Sequence, residues 1–83
     1  VANSCMVTDG ACALLIMDEE LAKAEGYKPI GRIRSFAYAG CDPSTMGLGP
    51  VYSTAKALQQ AGMRLGDIEL TEINEAFAAQ VIG

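Results

Sequence analysis

The residues best suited to chemistry lie near the C-terminus, in Asn74-Glu75-Ala76-Phe77-Ala78-Ala79-Gln80. An asparagine amide donates and accepts hydrogen bonds at once, which a carboxylate at neutral pH does not. At a corner between a strand and a helix it has two uses. It can accept from the free N–H groups of the first helical turn, with Glu75 complementing the positive helix end. Alternatively its side chain points out of the corner, off the carboxyl end of the strand, where α/β sheets place ligands. Spacing alone leaves both readings open. The other reactive side chains are Cys5, Cys12 and Cys41. With no histidine and no Cys-x-x-Cys pair, they make neither an activated nucleophile nor a zinc site. They read as buried structural cysteines of a reducing compartment.

The elements that must position this segment follow from local pattern. Residues 68–73 read as a strand: Ile68 and Leu70 alternate with Glu69 and Thr71, before Glu72 and Ile73 break the period. Residues 76–82 read as a helix rich in Ala, with Phe77 and Val81 four apart. Upstream, residues 1–9 form a polar loop and Asp9-Gly10 a turn. The apolar run 11–17 reads as a strand buried on both faces. A helix follows, with Asp18 as cap, Glu19 and Glu20 in its first turn, Lys23 near its end and Gly26 just beyond. Residues 30–39 read as a second strand. Ile33, Ser35 and Ala37 face one way; Arg32, Arg34, Phe36 and Tyr38 face the other. The two arginines suit either a basic patch or, as is commoner, a solvated or paired face.

Residues 40–50 are a loop by composition, with three Gly and two Pro. Met46 and Leu48 there either plug a core or wall an apolar slot. The Gly-x-Gly is no dinucleotide fingerprint, because the third Gly is missing and a proline follows. Ser53 or Thr54 caps a helix over 55–61, whose inward stripe is Ala55 and Leu58 with Val51 behind, and Gly62 ends it. Met63 and Leu65 pack its exit, and Gly66-Asp67 turns into 68–73. Strand, helix, strand, loop, helix, strand, helix is the alternation of an α/β layered architecture.

The totals exclude several functions. The chain has 83 residues, 51% apolar and only 19% charged, with a net charge of −4. It has much to bury and little to bury it in, which suggests an internal piece of a larger protein. There is no basic cluster and there are few aromatics, against nucleic-acid binding. No apolar run reaches the roughly 20 residues of a membrane span. No signal peptide opens the chain, and Val1 is not an initiator Met.

Stretches spread along essentially the whole chain carry a family resemblance. Asn74 to Gln80 resembles the active-site segment of thiolases, which make and cleave 3-ketoacyl-CoA. The similarity continues through Gly40-Cys41-Asp42-Pro43-Ser44-Thr45-Met46-Gly47-Leu48-Gly49-Pro50 and Lys56-Ala57-Leu58-Gln59-Gln60-Ala61-Gly62. It reaches back to Ala2-Asn3-Ser4 and Thr8-Asp9-Gly10-Ala11. The resemblance implies part of a layered α-β-α-β-α fold. On that view 1–27 end an N-terminal half, with its CoA-contacting loop, and 28–83 begin the C-terminal half.

The implied chemistry is acyl transfer through a cysteine thioester. In thiolases a His activates the nucleophile, a second Cys moves a proton, and fixed donors hold the developing oxyanions. The resemblance gives Asn74 a catalytic role, ordering a water that donates to a thioester oxygen. It makes Met46 and Phe77 walls for the acyl group and pantetheine. It puts Cys5 in the loop that contacts the pantetheine arm, at a position where many members have Ser, a stronger donor than a thiol. The nucleophile, the Gly-His-Pro segment and the second Cys are expected outside these residues, so the 83 residues alone are expected to be inactive. The substrates are CoA and acyl-CoA, with no bound cofactor and no metal, and the parent is expected to be a homodimer or homotetramer. Two other readings are a non-catalytic thiolase-like or small acidic α/β interaction domain, and a decarboxylating synthase or sterol-carrier-type relative. The intact Asn-Glu-Ala-Phe argues against the last.

Overall fold

The computed structural model describes residues 2–83, and the part of the loop reading that falls on Val1 lies outside them. Among the described residues three α-helices are formed: α1 (Glu19–Ala24), α2 (Gly49–Ala61) and α3 (Ala78–Ile82). Short 3-10 segments, Pro43–Leu48 and Leu65–Asp67, lead into α2 and away from it.

The first helix forms as its residues dictate. The Asp18 carboxylate accepts from the backbone N–H of Glu20 at 2.9 Å and of Leu21 at 3.2 Å. Lys23 reaches back to Glu19 and Glu20 at 3.2 and 2.9 Å. Gly26 takes the left-handed backbone, φ +75°. Its N–H donates to the Lys23 carbonyl and that of Tyr27 to the Ala22 carbonyl, a Schellman closure. The C-terminus of α2 repeats the motif with Gly62, φ +66°, through Gly62 N–H to Gln59 and Met63 N–H to Leu58.

The start of α2 differs from expectation. The helix begins at Gly49 with Pro50 in its first turn, not at Ala55 behind a Ser53 or Thr54 cap. Proline's missing N–H costs nothing there. The Ser53 hydroxyl instead donates back to the Gly49 and Pro50 carbonyls, at 3.2 and 3.3 Å. The inward stripe is correspondingly Ser53, Ala57, Leu58 and Ala61, each half-buried, while Ala55 and Val51 face solvent. The loop 40–50 is more ordered than its composition suggests. The Asp42 carboxylate caps the 3-10 segment by accepting from the Ser44 N–H and hydroxyl, at 2.8 and 2.7 Å. These bonds hold the Asp42 carboxyl below its ordinary pKa of 3.8.

The three expected strands do not pair into a sheet among the described residues. Segments 11–17, 30–39 and 68–73 carry no strand assignment, and the single recorded bridge is an isolated antiparallel one, Ser4 with Phe77. Asp9-Gly10 closes no hydrogen-bonded turn. The reason is that a strand satisfies its N–H and C=O groups only against another strand. Residues 34–39 nevertheless keep a period of two, whereas Ile33, expected on the inner face, is exposed because the segment lies beyond α2 there. Ser35, Ala37 and Ala39 are half-buried, whereas Arg34, Phe36 and Tyr38 are exposed. The inner face lies on α2: the Ser35 hydroxyl donates to the Ala57 carbonyl at 2.8 Å and Lys56 to the Tyr38 carbonyl at 3.2 Å. Phe36 and Tyr38 stack edge to face outside, 6.1 Å between ring centres. Arg32 pairs with Glu19, so half of the arginine pair is a tether to α1.

The chain stays open. It exposes 7797 Å², against about 4,700 Å² for a closed monomer of this mass. Its radius of gyration is 16.5 Å, against about 12 Å for a compact chain of this length. Ala22 is the one buried hydrophobic residue among those described, and Leu14, Leu15 and Ile16 stand 80, 75 and 69% exposed. Apolar surface of that extent marks a contact face.

Candidate active site

Met46 is presented by the capped 3-10 segment that Asp42 begins. Phe77 lies at the N-terminal boundary of α3. The two residues line one open cleft of about 390 Å³, with Pro43, Leu48 and Gln80 among its other walls. A neighbouring cleft of about 350 Å³ is bounded by Leu48, Val51, Ile73, Glu75 and Gln80. Asn74 lines neither.

The expected helix at 76–82 starts two residues late, and Asn74 is not its cap. Phe77 occupies the cap position without a side-chain hydrogen bond. A non-local contact has taken over: Ala78 N–H donates to the Asn3 carbonyl at 2.9 Å, and Cys5 N–H to the Ala76 carbonyl at 3.0 Å. This pair of bonds flanks the Ser4–Phe77 bridge and holds Phe77 extended. It satisfies an orphan donor of α3 from outside the helix. The Asn74 carbonyl accepts from Ala76 N–H at 3.0 Å, a three-residue turn. Its side-chain amide is exposed and makes no hydrogen bond among the described residues. Of the two uses open to Asn74 at the outset, capping is therefore not the one realised.

Cys5 enters the site by its backbone, through the bond to Ala76. Its thiol is exposed, as is that of Cys12, and Cys41 is half-buried. The expectation of three buried cysteines is thus corrected: among the described residues nothing covers the thiols of Cys5 and Cys12. Among the described residues no cluster of Cys, Asp and Glu gathers as metal ligands, and no helix is long and apolar enough to cross a membrane.

Gln80 closes the segment singled out in the sequence, which gives it no role of its own. It borders both clefts, and its Oε1 is enclosed without a hydrogen-bond partner. The available signal was a lone amide in the otherwise apolar helix Ala78–Ile82.

Comparison with known proteins identifies the frame around these residues. Residues 27–83 match the family described as "Thiolase, C-terminal domain". The chain is 56% identical over 78 residues to the 3-ketoacyl-CoA thiolase of Hahella chejuensis, covering 94% of this chain and 20% of that protein. It is 54% identical over 80 residues to the acetyl-CoA acetyltransferase of Escherichia coli, covering 96% and 20% respectively. Among solved structures, the Bacillus anthracis acetyl-CoA acetyltransferase superposes with a TM-score of 0.76 at 47% identity, over 80% of this chain and 17% of that one. The human mitochondrial 3-ketoacyl-CoA thiolase in complex with CoA superposes with a TM-score of 0.74 at 45% identity, over 77% and 16%. The chain spans about a fifth of the length of the curated relatives it matches. The unpaired segments are therefore part of a larger α/β layered fold of which this chain carries one piece. By sequence and by backbone course, the chain belongs to the thiolase family.

Proposed function

We propose that these residues form one side of the cleft of an acyl-CoA C-acyltransferase. It works by thiolytic cleavage of a 3-ketoacyl-CoA or by condensation of two acyl-CoA molecules. The acyl group rests on a cysteine outside the 83 residues as a thioester. The observation that carries this reading is the cleft that brings Met46 and Phe77 together, residues far apart in sequence, on the backbone that also holds the uncommitted amide of Asn74.

Each residue has a part. Carbon–carbon cleavage and thioester attack both put negative charge on a carbonyl oxygen. A fixed donor aimed at that oxygen lowers the barrier, by about 3–4 kcal/mol where single donors have been removed elsewhere. Asn74, free of the helix, orders the water that donates there, its exposed amide being able to donate to that water. Met46 and Phe77 supply an apolar wall against the acyl group. The loop of Asn3, Ser4 and Cys5 meets the pantetheine arm. Cys5 does so through its backbone or a weak thiol donor, and its N–H is already engaged with Ala76. CoA and acyl-CoA are substrates, and the reaction asks for no bound cofactor. Residues 1–27 close an N-terminal half and 28–83 open the C-terminal half, a division supported by the start of the family match at 27. The bare apolar segments are covered by the remainder of the enzyme, which assembles as a homodimer or homotetramer.

The test is Asn74→Ala in the full-length protein, assayed by thiolysis of acetoacetyl-CoA. A fall in kcat of about 10²–10³-fold is expected. Full activity of this variant removes Asn74 from the chemistry, and an inactive wild-type protein removes the acyl-transfer reading altogether.

A further inference from the structure

Gln80 stands between the two clefts and is common to both, together with Gly47, Leu48 and Gly83. A Cβ built on Gly47 would lie 3.5 Å from Gln80 Cβ and 3.6 Å from Gln80 Cγ. The aliphatic stem of Gln80 thus packs on the backbone next to Met46, with no side chain between. Its tip is enclosed as well, since Oε1 is shut off from solvent without a partner. The side chain therefore belongs to the wall that the two clefts share, packed by its stem on Gly47.

We infer that Gln80 is a positioning residue: its contact with Gly47 sets the gap between the Met46 segment and α3, and so the length of acyl chain that the Met46–Phe77 cleft accepts. This rests on the acyl-transfer reading. Shortening the side chain joins the two clefts and gives a longer chain somewhere to go. The stem does the spacing, so methionine, unbranched and of similar length, keeps the partition while removing the unpaired acceptor.

The experiment compares Gln80→Ala, Gln80→Met, Gly47→Ala and the Gly47→Ala/Gln80→Ala double variant in the full-length protein. Thiolysis of acetoacetyl-CoA is measured beside that of a longer 3-ketoacyl-CoA. For Gln80→Ala the ratio of kcat/KM values is expected to move towards the longer substrate by about tenfold, chiefly through KM. Gln80→Met keeps the wild-type ratio, and the added methyl of Gly47→Ala restores part of what Gln80→Ala loses, a non-additive result. Equal losses on both substrates, a methionine variant that behaves like alanine, or strict additivity each overturn the inference. An inactive wild type overturns the acyl-transfer reading instead. The same cycle read on melting temperature then decides the contact, with additive shifts sinking it.

Discussion

Residues 43–62 and residues 5–17 are both rich in apolar side chains, yet the first region is ordered by its own bonds and the second is not. In the first, the Asp42 cap, the Pro50 turn and the left-handed Gly62 satisfy the backbone within a few residues of each group. In the second, Cys5 alone makes a backbone–backbone bond, and it does so to Ala76. The difference is one of reach. A helix closes its hydrogen bonds locally, whereas a strand borrows its partners from elsewhere in a sheet. A chain that spans about a fifth of the length of its thiolase relatives can therefore keep its helices while its expected strands stand bare.

Proline substitution breaks this comparison most sharply. Ala55 is exposed in the middle of α2, so Ala55→Pro removes an N–H and clashes with the preceding turn at a cost of about 3 kcal/mol. In the 83-residue chain it should abolish most of the α2 contribution to helical circular dichroism. Leu14→Pro, in a segment with no ladder to lose, should leave that spectrum unchanged. Equal loss from both variants would mean that 11–17 is ordered in the chain, contrary to the contrast drawn above. In the full-length protein the ranking closes up, because Leu14 would then sit in a strand and proline would deprive it of a ladder bond.

The same contrast explains what could be read from residues alone. Asp18, Glu19, Lys23 and Gly26 announced α1 because caps and charge placement are local. The alternation of 34–39 was legible because period two is a property of the backbone, and Ser35 and Ala37 are half-buried as expected, but Ile33 is exposed. The start of α2 was misread because Ser53 is a good cap by type, but Pro50 had already started the helix. Asn74 was ambiguous for a different reason. Whether it caps α3 depends on Asn3, Cys5 and the Ser4–Phe77 bridge, some seventy residues away in sequence. The part played by Gln80 was not legible because it lies in facing Gly47, which no periodicity encodes. The family resemblance reached the fold, but it supplied no role for Gln80.

A smaller effect sharpens the local half of the comparison. Gly62 has φ +66° and a Cβ there would meet nothing within 4 Å, so Gly62→Ala is penalised by backbone conformation alone. The cost is about 1 kcal/mol, read as a lower helical signal and a lower melting temperature of the chain. Gly66, without a left-handed backbone and likewise with open space around its Cβ, is the control: Gly66→Ala should change neither. A Gly62→Ala variant indistinguishable from this control would show that the C-terminal closure does not help hold α2.

The smallest effect lies where helix and bare segment meet, at Glu19. Its carboxyl is held below the ordinary 4.5, first by the hydrogen bond from Lys23, which together with the hydrogen bond and charge of Arg32 outweighs an opposing desolvation that ranks second among the causes. A depressed carboxyl contributes stability that is present above the ordinary pKa and is lost as pH falls through the depressed value. Because the group is solvated, the contribution is slight and screened by salt. Carboxyl-carbon NMR of the chain should give a Glu19 midpoint below 4.5 at low ionic strength. Lys23→Ala should raise that midpoint more than Arg32→Ala does, and added salt should raise it towards the ordinary value. Arg32→Ala should also free the 30–39 segment from α1 while leaving Ser35 on Ala57. If Arg32→Ala moves the midpoint further than Lys23→Ala, the tether between segments outweighs the bonds within α1, and the distinction between local and borrowed order fails at this contact.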